Sequence, residues 1–150
     1  MMTEKNVAIY KEYVYDFAVD GGATGDLVLR AANGLHADLE DGLLVKDAIV
    51  VNEAALSGSA ALTLGTKTDP DGFLVDFKAK VASVNTVVRA GEVDGALLWD
   101  STADAKKAHR IDATLANDAQ VVMNIGTAVL TAGKLRIILE CYKPDSAVGY

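Results

Sequence analysis

A single cysteine, two prolines and few aromatic side chains limit what this 150-residue chain can be. With Cys141 alone, no intrachain disulfide can form, so folding rests on packing and suits synthesis in a reducing cytoplasm. Aromatic residues make up 6% of the chain, and Trp99 is its one tryptophan. Platforms that stack bases or sugars draw on more than that. Basic residues are outnumbered, 14 against 21 acidic, for a net charge of −7. Affinity for nucleic acid comes from lysine and arginine displacing counterions from phosphates, and the longest basic run here is Lys106-Lys107. Neither nucleic acid nor an anionic membrane is therefore expected as a partner. No apolar run approaches the roughly 20 residues of a membrane span. Glu4, Lys5, Lys11 and Glu12 interrupt any leader-like stretch at the start, so export by the general pathway is not expected.

What is present is β-pattern. The apolar fraction is 51%, and a chain of this length can bury roughly 68–70% of its unfolded surface. Odd positions from Val7 to Val19 read Val, Ile, Lys, Tyr, Tyr, Phe, Val, one apolar face at period two apart from Lys11. We expect that face to be core. Asp20-Gly21-Gly22-Ala23-Thr24-Gly25 turns the chain into a short strand over residues 27–30, closed by Asn33-Gly34. Residues 43–52, 60–66, 109–115, 119–127 and 135–142 read as further strands, with Leu97-Leu98-Trp99 as a short edge segment. Between Asp69-Pro70-Asp71-Gly72 and residue 90 the period changes. Phe73, Phe77, Val81 and Val84 recur at spacings of four, four and three, which predicts a helix of about three turns. The expected fold is all-β: an antiparallel β-sandwich or jelly roll of about eight strands, with one short helix in a connection. The chain reads as one domain over residues 1–150, with flexible arms at about 1–6 and 143–150.

One internal echo stands out. Leu62-Thr63-Leu64-Gly65-Thr66 and Met123-Asn124-Ile125-Gly126-Thr127 share an apolar-x-apolar-Gly-Thr pattern. Each follows a longer β-branched strand and a turn of small residues. Two similar half-units are what a jelly roll built from two Greek keys supplies, and each glycine also suits a strand end or a bulge.

No motif carries catalytic chemistry. His36 and His109 are far apart in sequence, and neither has the second histidine and carboxylate of a cupin-type metal site. An EF-hand with Gly72 at its sixth position would begin at Lys67 and close at Lys78, both wrong for a cation, so Asp69 to Gly72 reads as a turn. Asp38, Glu40 and Asp41 read as a solvated loop. The glycines of residues 21–25 lack dinucleotide-loop spacing, and Ser57 lacks the flanking glycines of a nucleophile elbow. Cys141 lies in an apolar run that suppresses its thiolate. No catalytic, cofactor-binding or metal-binding residue is expected, and no enzyme.

Residues 14–22 (Val14-Tyr15-Asp16-Phe17-Ala18-Val19-Asp20-Gly21-Gly22), the block Ala61-Leu62-Thr63-Leu64-Gly65-Thr66, and Leu130-Thr131-Ala132-Gly133-Lys134 leading into residues 135–142 resemble small capsid decoration, or cement, proteins of tailed bacteriophages. The likeness runs from about Val14 to Tyr142, and it rests on composition and turns. It implies a jelly roll, assembly on the outer surface of a virion, and clamping of neighbouring major capsid protein subunits. A homotrimer is favoured over a dimer, and the family supplies no catalytic residue. Net negative charge suits a protein that stays soluble until it meets a shell. The alternative is a receptor- or glycan-binding sandwich of a phage fibre or adhesin, whose site would centre on Trp99.

Overall fold

The structure is a computed structural model and describes residues 7–34, 37–112 and 118–143. Its regular secondary structure is almost entirely antiparallel sheet. Six strands have four or more residues: β1 Val7–Asp16, β2 Gly25–Val28, β4 Leu44–Ser57, β5 Ala61–Thr66, β10 Val121–Gly126 and β11 Ala132–Lys143. Five short ones complete the set: β3 Arg30–Ala31, β6 Val87–Arg89, β7 Trp99–Asp100, β8 Ala105–Lys106 and β9 His109–Arg110. The all-β expectation holds, with eleven strands among the described residues where about eight were expected. The surplus consists of two- and three-residue pairings that pattern alone does not reveal.

The larger sheet runs β3-β1-β11-β4-β6, with β9 also on β4; the second runs β2-β10-β5, and β7-β8 form a separate hairpin. Tyr13, Tyr15, Val45, Val50, Leu135, Ile137 and Leu139 from the first sheet meet Leu62, Leu64, Val121, Met123 and Ile125 from the second in one buried core. Period two decides which residues these are, because alternate side chains take opposite faces. The odd face of β1 is core at Tyr13 and Tyr15, which are fully buried, with Ile9 packed against their cluster.

Both tyrosines carry a polar tip into the interior and satisfy it there. Tyr13 donates to the carbonyl of Ala37 and Tyr15 to that of Gly21, each at 2.7 Å. Burial pushes the Tyr15 hydroxyl up to about 12, so it stays a donor. Replacing Tyr15 by Phe is expected to cost about 1 kcal/mol, the net worth of one hydrogen bond, read as a lowered midpoint in urea unfolding.

Several expectations need correction. The strand expected through Val19 ends at Asp16, whose carboxylate accepts from Ala18 N and caps the one-turn helix α1, Phe17–Asp20. Val19 is accordingly exposed. The three-turn helix over residues 73–84 is a single 3-10 turn, Lys78–Val81. Its apolar stripe is real, since Phe73, Phe77 and Val81 are fully buried, but Val84 is 51% exposed. The N–H groups of Phe73 and Leu74 bond to Leu64 O, and that of Phe77 to Leu62 O. With Phe77 N–H taken by Leu62 O, the first i to i−4 bond of such a helix, to Phe73 O, is not made. Lys143, expected in an arm, closes β11 opposite Val7. The strand expected over 109–115 is a strand only at His109–Arg110 and has ended by Ile111. Residues 113–115, the remaining arm residues and His36 lie outside the described residues.

The two echo segments are neighbours in one sheet. β5 and β10 pair antiparallel, Leu64 opposite Met123 and Leu62 opposite Ile125. Their glycines differ. A Cβ on Gly65 would sit 2.1 Å from Asp69 O and 2.7 Å from Gly72 N, because the loop 67–72 folds down over that face. Thr63 Oγ1 donates to Pro70 O at 3.0 Å and holds the loop there. Gly126 has only Asn124 Oδ1 within 3.4 Å. Thr66 is buried in the strand, whereas Thr127 lies beyond it at φ 71°.

Candidate functional site

The described residues weighed for chemistry are dispersed. Cys141 is buried, its thiol pushed up to about 12 by desolvation. His109 Nε2 lies 3.4 Å from the buried Asp118 carboxylate, which also accepts from Asp112 N at 2.9 Å. Its ring packs 6.4 Å from that of Phe73. Glu40 pairs with Lys11 at 2.8 Å, and that ammonium holds its carboxyl below the usual range. Among the described residues no three His, Cys, Asp or Glu side chains converge on one point. Trp99 is half-buried in the β7-β8 hairpin, paired with Lys106.

Burial lifts the Asp69 carboxyl above its ordinary value, and the neighbouring Asp71 adds to the shift. A carboxyl raised on folding contributes stability below the ordinary carboxylate range, and this is lost as pH climbs through the raised value. Asp69→Asn is therefore expected to be slightly more stable than the parent at neutral pH. The gain should vanish below about pH 4, which thermal melts across pH would follow.

The outward face of the larger sheet is a different matter. Strand register places Glu12, Ile138, Ile49 and Arg89 in one row across β1, β11, β4 and β6, and Val14, Arg136, Val51 and Val87 in the next. Val14, Ile49, Val51 and Ile138 are half-buried and Val87 is half exposed. Ion pairs run among these apolar side chains. Arg136, inside the second row, reaches Glu12 at 2.9 Å and Glu53 at 3.0 Å, and Arg89, at the end of the first, reaches Asp47 at 2.5 Å. The partly exposed Arg136 pairs contribute little to stability, typically below about 1 kcal/mol, whereas the Asp47 carboxylate is buried. The face is thus a mixed surface of half-buried apolar and paired charged side chains.

Among the described residues, one border of that face is open. β11 covers the full length of β1 on one side, but on the other side β3 pairs only with Tyr13 and Val14. Ala32 N bonds to Glu12 O beyond β3. Backbone groups alternate sides along a strand, so Ala8 and Tyr10 direct their N–H and C=O to the same border as Glu12. Next to it lies a groove of about 340 Å³ lined by Tyr10, Glu12, Ala32 and Asn33. Period-two reading finds the sheet face in sequence but not its open border, because pairing partners are not encoded locally.

No protein-family model matches the sequence, and no curated protein matches it. Solved structures do. A chain of the "Cyanophage Pam1 capsid asymmetric unit" superposes with a TM-score of 0.63 over 93% of this chain and 86% of its own, at 12% identity. The two share a fold. A chain from the "Acidic stable capsid structure of Helicobacter pylori bacteriophage KHP30" aligns over 93% of both chains at 10% identity, with a TM-score of 0.45.

Proposed function

We propose that this protein is a structural component of a phage virion. It binds the outer surface of the capsid and cements neighbouring major capsid protein subunits, acting by contact and not by catalysis. The observation that carries this reading is the shared fold with a chain of a phage capsid asymmetric unit over 93% of the sequence. The similar length of the two chains supports a role for the whole chain as one jelly-roll domain, and the homotrimer is the favoured assembly. The mixed apolar and charged rows on the larger sheet offer a surface for such contact. Modest contacts repeated over a lattice gain strength through avidity.

Purified protein mixed with intact phage heads that lack it should co-sediment to saturation and raise the temperature at which the heads release DNA. Heads that stay intact yet bind none would overturn the proposal. Light scattering should give three times the 15.7 kDa chain mass; a value of one or two chain masses would overturn the trimer.

A further inference from the structure

We infer that the open border of β1 is a strand-docking site, and that its occupant is an extended, basic segment of a partner protein. Sheet edges that present unpaired N–H and C=O groups are templates for another strand, and proteins ordinarily cover, shorten or charge them. β1 is ten residues long, yet among the described residues its second side is paired only at Tyr13 and Val14 and by the Ala32 bond to Glu12. Ala8 and Tyr10 are exposed and contribute two donors and two acceptors to the gap. Residues 8–11 span about 13 Å at roughly 3.3 Å per residue, enough for a short added strand.

Charge selects the occupant. Glu12 borders the groove on the outward side. On the core side, the segment carrying Asp38 and Glu40 passes close to Tyr13, whose hydroxyl feels both carboxylates and donates to Ala37 O. Against these stand Lys11, already paired with Glu40, and Arg136, shared between Glu12 and Glu53. Tyr10 turns a 59% exposed ring into the groove beside Glu12. A lysine or arginine on an added strand would lie over that ring and within reach of the Glu12 carboxylate. Binding would be by main-chain hydrogen bonds, with register set by the basic side chains.

The role proposed above enters only as the source of the strand, a subunit of the shell. The test needs no capsid. Amide exchange on the full chain is followed with a capped heptapeptide of alternating lysine and valine, and with its glutamate-valine counterpart. The lysine peptide should slow exchange at Ala8 and Tyr10 at least tenfold, and the glutamate peptide should not. Ala8→Pro and Tyr10→Pro each delete a donor that faces away from β11, so the ladder to β11 remains and peptide binding should fall at least tenfold. No protection at either amide, equal protection by both peptides, or binding retained in both proline variants would overturn the inference. Protection that grows with protein concentration alone would also overturn it, by showing that the edge pairs with a second copy. Failure of head binding would overturn the virion role and leave this result standing.

Discussion

Gly65→Ala should destabilise the protein by about 3 kcal/mol, while Gly126→Ala should change its stability by less than about 1 kcal/mol. The two glycines occupy the same place in the repeated apolar-x-apolar-Gly-Thr pattern, so a difference between them measures tertiary context. At Gly65 an added methyl meets main chain on several sides: Asp69 O at 2.1 Å, and Pro70 C and Gly72 N at 2.7 Å. Main chain cannot rotate away as a side chain can. Room for the methyl requires lifting the loop 67–72, which would break the bonds of Thr66 N to Asp69 O and of Thr63 Oγ1 to Pro70 O. At Gly126 the nearest atom is a side-chain oxygen at 3.3 Å, and alanine in a strand loses less chain entropy than glycine. Urea denaturation of the two variants checks this directly. Equal effects would mean that the loop does not press on Gly65.

Phe77→Ala should cost about 3–5 kcal/mol, the usual toll of removing a buried aromatic ring, whereas Val84→Ala should stay within about 0.5 kcal/mol. Both positions belong to one stripe at helical spacing, and a helix with that stripe inward would bury both. Phe77 is fully buried and Val84 is 51% exposed, so the structure separates them. The Phe77 side chain lies in the core with Val81 while its N–H bonds to Leu62 O. Thermal unfolding of the pair distinguishes the arrangements. A large loss at Val84 would restore the helical reading of residues 73–84.

Much of the fold is legible without coordinates. The odd face of β1 and the apolar-x-apolar pattern of Leu62, Leu64, Met123 and Ile125 identify core residues correctly, because a strand half-covered by a second sheet has no other way to bury them. Glycine-rich turns place most strand ends within a few residues. What escaped was pairing. The short strands β3, β6 and β8 are defined by the partner across the ladder and leave no periodic trace, whereas β7 and β9 begin within the segments read as strands at 97–99 and 109–115. The candidate surface was legible in the same uneven way: Glu12, Val14 and Arg136 alternate outward in sequence, but their meeting with Ile49, Val51 and Val87 depends on register.

By itself, then, the sequence determined that this chain is built of strands with alternate faces buried, and it offered no motif of catalytic residues. Side-chain periodicity and residue chemistry are local properties, and folding only reads them out. Tertiary structure decided the rest. It turned a helical stripe into an irregular segment with a single 3-10 turn by offering β5 carbonyls to its first amides. It set the two Gly-Thr strands side by side and pressed a loop onto only one of their glycines. Among the described residues it also left β1 unpaired on that side before Glu12, where the open hydrogen-bonding groups arise from how far β3 and the Ala32 bond reach.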